Sequence, residues 1–381
     1  MRKPAHFGLS VTIPGRLSPV VYQTTKSAAG NIIFLRSLPP MPIAVEDFLK
    51  LRHSLPVIDI RSEGEFQEGH IANAINIPLL NNEERVIVGT TYKRKGQQQA
   101  IYEGFRLVGP RLKDIIYQAE KIASGNEVLV HCWRGGMRSS NFCQFIGMAK
   151  IKSQSIKGGY KAYRQFALEY FKKPLQIILI GGCTGSGKSE ILRTLKEEGE
   201  QIIDLETLAN HKGSAFGSLL MPAQPTTEQF HNNLFEDIFK LNLNKRIWVE
   251  DESITIGKVF LPPDFWTIMK NSPLIQMDVS KDVRISRLVN EYGPADQNEF
   301  LAAMDKIVKR LGGQHYKAAK EKLLEGDMAS TIDILLTYYD KYYLGSIENK
   351  KQRVKAMVPW SGLNAKEYAR ELITQANTEM N

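Results

Sequence analysis

Cysteine is scarce in this chain: three residues, Cys132, Cys143 and Cys183, among 381. None forms a C-x-x-C pair and no histidines stand at ligand spacing, which argues against a disulfide framework and a structural zinc site. A reducing, cytoplasmic setting is the expectation. Long apolar runs are also missing. None approaches the roughly 18 to 20 residues a membrane-spanning helix needs, so no membrane partner is expected. Internal repeats and low-complexity tracts are absent. So is acid before Glu46, although Arg2, Lys3, Arg16, Lys26 and Arg36 all fall in that stretch. The stretch lacks the apolar centre and small-residue cleavage site of a secretory signal. Residues 1–40 therefore read as a disordered extension, with no chemistry assigned to them.

What is present is ordinary for a globular protein of two or three domains: 43% hydrophobic and 24% charged residues. The formal charge of +9 favours a polyanionic partner, tRNA among them. Candidate RNA contacts are the basic, aromatic helix expected over 160–173 and the lysine-rich tract from Lys306 to Lys322.

The strongest motif runs from Gly182 to Ser189 and fits G-x-x-x-x-G-K-[ST], the phosphate-cradling P-loop. Its context agrees. An apolar run over 175–180 reads as a buried parallel strand, and 190–196 as the start of a helix. The glycines let backbone N–H groups converge on an anion, and the helix N-terminus adds partial positive charge. Lys188 is expected to reach the outer phosphate, with Ser189 placed to hold Mg²⁺. The loop specifies a diphosphate without specifying whose; ATP or GTP is the common occupant.

Two further expected strands end in acids: 201–206 with Asp204, and 246–253 with Glu250, Asp251 and Glu252. In P-loop folds that is where a carboxylate meets Mg²⁺ or its waters, so these are candidates for metal or acid/base work. His211, Lys212 and Ser214 follow the first of these ends and suit substrate contact. Arg284 and Arg287, three apart on a helix, read as lid arginines that close over phosphates. A strand over 274–279 completes the parallel set, and residues from 296 onward read as helical.

Upstream, strands over 56–60, 74–78 and 127–131 alternate with helices, an α/β pattern. The last runs straight into Cys132, Arg134, two glycines and Arg138. Backbone N–H groups of such a loop make an anion nest, and the helix behind it lowers the thiol's proton affinity. Arg134 and Arg138 favour thiolate and suit an oxyanion. Cys132 is the candidate nucleophile. Cys143 is expected to be a buried helix residue and Cys183 a small filler in the P-loop.

Asp59-Ile60-Arg61, Glu65-Phe66 and Gly69-His70-Ile71, followed by the Cys132 loop, resemble a rhodanese domain. The loop is longer than in ordinary sulfurtransferases, with five residues between Cys132 and Arg138, and also matches the cysteine-phosphatase signature. Joined to a P-loop domain, the set resembles the tRNA 2-selenouridine synthase family, through stretches at 78–85, 88–93, 204–217 and 250–257.

The resemblance implies a rhodanese-like α/β domain (41–173), then a P-loop NTPase-like parallel α/β domain (174–295) with a helical C-terminal region (296–381) packed on it. It implies a transferase that converts the wobble 2-thiouridine of tRNA to 2-selenouridine. The base is S-geranylated from geranyl diphosphate, and selenophosphate then supplies selenium, with transfer from the enzyme that produces selenophosphate. On this reading Gly182, Thr184, Gly185, Ser186, Gly187, Lys188 and Ser189 hold the diphosphate, with Mg²⁺ as a candidate cofactor. Cys132, Arg134 and Arg138 serve selenation, while Asp59, Arg61, Glu65 and His70 are chiefly structural. The alternative is a rhodanese-type sulfurtransferase or cysteine phosphatase fused to an ATP-dependent small-molecule kinase.

Overall fold

A computed structural model describes residues 41–379, so the extension expected over 1–40 lies outside the described residues. The chain divides into two units, with the division between Tyr163 and Arg164, inside the helix Gly159–Tyr170. Each unit is built on its own parallel sheet.

The first unit holds β1 (Val57–Asp59), β2 (Ala74–Asn76), β3 (Glu127–His131) and β4 (Lys152–Ser155) in the order β2-β1-β3-β4. All three pairings are parallel, with Asp59 opposite His131 at the C-terminal end of the β1–β3 ladder. Parallel strands covered on both faces need apolar side chains on both faces. Accordingly β1 is buried throughout, and β3 buries every residue after Glu127. Ile58, Val128, Val130, Phe142 and Ile146 share one core with Ile115 and Ala119 of the helix Leu112–Ile122. The helix Asn82–Lys95 is different: over its 14 residues none is buried.

The second unit holds β5 (Gln176–Gly181), β6 (Gln201–Ile203), β7 (Arg246–Glu250), β10 (Leu274–Val279) and β11 (Val354–Trp360), in the parallel order β11-β10-β5-β7-β6. A short antiparallel hairpin, β8 (Thr255–Ile256) with β9 (Val259–Phe260), stands apart from that sheet. Strand β5 is central and buried after its first residue, and the helix Lys188–Glu197 follows it. Ile191, Leu192 and Leu195 of that helix pack on Ile178, Ile180 and Trp248. The register Ile180↔Glu250 sets the acid at the end of β7 beside the point where β5 enters its loop.

Residues beyond 296 are helical, as expected, and in addition supply β11 to the sheet edge. The strand expected over 201–206 stops at Ile203. Asp204 instead caps the helix Leu205–Ala209, its carboxylate accepting from the Thr207 amide at 2.8 Å. An Asp in extended backbone before a helix satisfies an otherwise unpaired N–H, which outweighs continuing the strand. The strand expected over 246–253 likewise ends at Glu250, leaving Asp251 and Glu252 on a loop.

Candidate functional site

Two strand-to-helix loops gather the predicted side chains, one in each unit. In the first unit, β3 delivers Cys132 to a turn that ends where the helix Met137–Met148 begins. The turn is held from behind. The carbonyl oxygens of Cys132 and Trp133 accept from the amides of Tyr160 (2.8 Å) and Lys161 (3.0 Å) in the first turn of the helix Gly159–Tyr170. This contact requires glycine on both sides. Gly135 and Gly159 both have positive φ, and a Cβ on Gly159 would lie 2.4 Å from the Cys132 oxygen and 2.5 Å from the Gly135 nitrogen. Gly159 was not among the expected site residues; the Gly158-Gly159 pair ahead of a helix was its only signal.

Cys132 is 2% exposed, with its sulfur 3.3 Å from the Ser139 hydroxyl, which in turn lies 3.0 Å from the Gly136 carbonyl. Burial pushes the thiol up. The Ser139 hydroxyl, the Arg138 charge and the backbone of Gly136 and Arg134 more than offset it, so the thiol sits below its ordinary range. Arg138 donates to Glu65 at 3.1 Å, while Arg134 is exposed. Cys143, on the same helix, is buried, and burial pushes its thiol up to about 11.

The four residues read as structural lie behind this loop. Arg61 and Asp59 form a wholly buried pair, 2.6 Å apart, and Arg61 also donates to the Gly69 carbonyl and stacks 3.7 Å over the Tyr160 ring. Glu65 closes a capping box with Ser62, and His70 stacks on Phe66. Tyr160 and Tyr163 are themselves fully buried, so they offer no face to an RNA base. The stacking role expected for that helix is thereby closed to its first turns. The reason is the aromatic cluster with His131 and Trp133, which an alternating basic-aromatic sequence does not reveal.

In the second unit, Gly182 to Gly187 wrap the N-terminus of the helix Lys188–Glu197. Gly185 and Gly187 take positive φ, and a Cβ at Gly182 would meet the Ser186 oxygen at 2.3 Å. The Ser186 hydroxyl is buried without a partner. The loop is braced by Arg284, 5% exposed, which donates to the Thr184 carbonyl at 3.3 Å and pairs bidentately with Asp340 at 2.7 and 2.8 Å. Arg287 pairs with Glu190, stacks 4.9 Å over Trp360, and lies against Gly187. Arg284 is thus a brace beneath the loop rather than a mobile lid group; Arg287 flanks the loop's last glycine.

The acids around Lys188 divide sharply. Glu206, on the capped helix, accepts from Ser189 Oγ at 2.6 Å and shares a hydrogen bond with Glu252. Glu250 is fully buried; its Oε2 accepts from the Leu205 amide at 2.9 Å while Oε1 has no partner. Burial first, then the neighbouring acids Asp204, Glu206 and Glu252, hold Glu250 well above the usual carboxylate range. Burial and Glu206 push Glu252 up to about 8 against the opposing charge of Lys188. Burial works against the Lys188 cation, but Glu206, Glu252, Tyr343 and Glu250 raise it overall. Asp251 points elsewhere, to Lys350 at 2.6 Å. Among the described residues no three His, Cys, Asp or Glu converge as a complete metal-ligand set. Ser189 and Glu206, with the partnerless oxygen of buried Glu250 nearby, are the groups suited to a cation beside a bound diphosphate.

His211, Lys212 and Ser214 lie on a loop closed by a Lys212 N–H bond to the Gly217 carbonyl at 3.0 Å. His211 is nearly buried and its Nδ1 has no partner; burial depresses its pKa. Lys212 pairs with Glu291 at 2.6 Å. Ser214 bonds to Tyr292 and Tyr339, which with Thr184, Phe216, Phe300 and Leu288 bound a cavity of about 20 Å³ beside the P-loop.

Iodoacetamide should alkylate Cys132 with an apparent pKa below that of a free thiol, and Ser139→Ala should raise that value, while buried Cys143, its thiol pushed up to about 11, should react far more slowly at every pH below that. Peptide mapping across a pH series reads this. For Glu252, the folded state holds its proton up to about pH 8 whereas the unfolded carboxylate releases it near 4.5. Between those values the folded state binds more protons, so stability falls as pH rises. Denaturation midpoints should decline over that window, and Glu252→Gln should flatten the decline.

Comparison with known proteins places these loops in context. Residues 175–372 match the domain described as "tRNA 2-selenouridine synthase AAA domain", and residues 44–166 match the rhodanese-like domain. The chain is 31% identical over 365 residues to a tRNA 2-selenouridine synthase of Nitrosomonas europaea, covering 82% of this chain and 94% of that one. It is 32% identical to the protein of that name from Shewanella frigidimarina, covering 80% and 92%, and 33% identical to that of a Sulfurovum strain, covering 79% and 91%. With both domains matched in order and the relatives covered almost end to end, the chain belongs to the tRNA 2-selenouridine synthase family.

Proposed function

We propose that this protein is a cytoplasmic tRNA-modifying transferase that replaces sulfur by selenium at C2 of a wobble 2-thiouridine, in two steps at its two loops. As a member of its family it is a tRNA 2-selenouridine synthase. The finer assignment concerns which loop does what.

In the first step the P-loop of Gly182, Thr184, Gly185, Ser186, Gly187, Lys188 and Ser189 holds the diphosphate of geranyl diphosphate. The thiocarbonyl sulfur forms a bond to the allylic carbon, the C–O bond to diphosphate breaks, and the proton on N3 of the base is released. Negative charge grows on the leaving group, where Lys188 and the loop amides face it. Mg²⁺, when bound by Ser189 and Glu206, would add charge neutralisation there. The observation that carries the prenyl reading is the mainly apolar cavity that Thr184 opens onto, where Phe216, Leu288, Phe300, Ile332 and Leu336 lie with the rings of Tyr292 and Tyr339 and the Ser214 hydroxyl. Its cavity must widen to admit the chain. A nucleotide base would look instead for polar edges.

In the second step selenophosphate is held at the Cys132 loop by its amides, Arg134 and Arg138. Selenium adds at C2, the geranylthio group leaves as a thiol after taking up a proton, and water cleaves the P–Se bond, so that selenium stays on the base and orthophosphate is released. The depressed thiol of Cys132 supports a nucleophilic part in delivering selenium. The selenophosphate comes from the enzyme that makes it.

Cys132→Ser should abolish selenium insertion while S-geranylated tRNA accumulates, and Lys188→Ala should suppress geranylation by about a hundredfold or more. Nucleoside mass spectrometry of tRNA incubated with each variant distinguishes the two losses; selenouridine formed at the normal rate by Cys132→Ser overturns the role given to that thiol. Calorimetric titration with geranyl diphosphate and with ATP tests the donor. Binding of ATP with no response to geranyl diphosphate would favour the kinase alternative.

A further inference from the structure

The helix Asn82–Lys95 and the helix Gln97–Val108, joined through Gly96, form a hairpin whose composition folding does not explain. A surface helix ordinarily buries an apolar stripe. The first of these buries no residue at all, although Val88 leans on the core. Instead the pair turns large apolar side chains outward: Val86 is 58% exposed, Tyr92 54%, Tyr102 59% and Phe105 55%. Tyr102 and Phe105 are three apart and share one helix face. Directly after Tyr92 come exposed cations, Lys93 and Arg94, at the end of the first helix. Two of the hairpin's acids are already engaged, Glu84 with Arg111 and Glu103 with Arg106.

The hairpin also stands beside the thiol loop. At one end Arg85 approaches Glu65 at 3.8 Å, and Glu65 holds Arg138. At the other, Gln97 donates to the sulfur of Met137, the first residue of the helix behind Cys132, at 3.4 Å. These contacts set the hairpin against the Cys132 loop, so a chain docked on the hairpin would lie close to it.

We propose that this helical hairpin is the docking surface for the single-stranded loop of the RNA substrate, with bases stacking on Tyr92, Tyr102 and Phe105 and phosphates meeting Lys93 and Arg94. The proposal rests on the tRNA reading above and adds where the RNA sits. Exposed aromatic rings interleaved with lysine and arginine suit unpaired nucleotides, whose π faces stack and whose phosphates release counterions to cations. A duplex hides its base faces and gains only the charge. A protein partner would gain from the apolar groups but would have to cover the cations.

The test is fluorescence anisotropy of a labelled tRNA transcript with the full chain, over a salt series, alongside an RNA duplex of equal length. The double variant Tyr102→Ala with Phe105→Ala should weaken tRNA binding at least about tenfold and leave duplex binding unchanged, and Tyr102→Phe should restore most of the loss. Lys93→Ala and Arg94→Ala should each lower the slope of log affinity against log salt by somewhat less than one. These side chains are exposed, so unaltered melting of each variant checks that the fold persists. If the wild-type chain does not bind tRNA, the functional reading itself fails. If it binds and modifies tRNA while the variants bind equally well, the surface lies elsewhere. If the aromatic variants instead halve the mass of the particle in solution, the hairpin is an interface between copies and the proposal is overturned.

Discussion

A loop that turns its amides inward to hold an anion must send its carbonyls outward, and buried carbonyls need donors. Both candidate sites meet that requirement with residues remote in sequence. Behind the Cys132 loop, the first turn of the helix Gly159–Tyr170 supplies two of its own unpaired N–H groups to the carbonyls of Cys132 and Trp133. Behind the P-loop, the carbonyl of Cys183 accepts from Ser186 within the loop, and that of Thr184 accepts from Arg284, itself fixed by Asp340. The helix that follows each loop gives the site its amides; a second element holds the loop's shape. Gly135 and Gly159 meet so closely that a methyl group on either would part the two segments.

What could be read from the sequence follows this division. Apolar runs bounded by turns give β3 and β10 residue for residue, and the two loops announce themselves by glycine, lysine, cysteine and arginine at fixed spacing. The second element of each support is another matter. Arg284 and Asp340 are 56 residues apart, and nothing local distinguishes a buried arginine brace from a lid arginine. Strand β4, Lys-Ser-Gln-Ser, and strand β11, with Pro359 in it, lie at sheet edges where polar side chains and proline are tolerated, so hydrophobic pattern cannot mark them. The strand expected over 201–206 runs past the real end of β6 for a related reason: Asp204 gains more by capping a helix than by extending β6. Tyr160 shows the converse. Its basic surroundings suggest a surface, yet the buried Arg61 guanidinium claims its ring.

The charge around Lys188 bears on what the loop can accept. One half-buried cation faces Glu206, Glu250 and Glu252, and burial holds protons on the last two well past the ordinary range. Those protons moderate the negative charge around Lys188. Bringing a diphosphate into the loop adds further negative charge at low dielectric, and that charge must be met, since an uncompensated buried charge is far costlier than a lost hydrogen bond. The loop amides and Lys188 meet part of it. The remainder falls to retained protons on the glutamates or to a divalent cation at Ser189 and Glu206, and the two means compete, because a cation there expels the protons it replaces. Carboxylates this close to the phosphate would serve poorly as bare anions; they serve well as a reserve whose charge adjusts to the ligand and the metal together. The same reasoning separates the two loops. The Cys132 site carries arginines and amides, and the acids beside it are engaged, Glu65 with Arg138 and Asp59 with Arg61, so an oxyanion entering it would meet no comparable opposition.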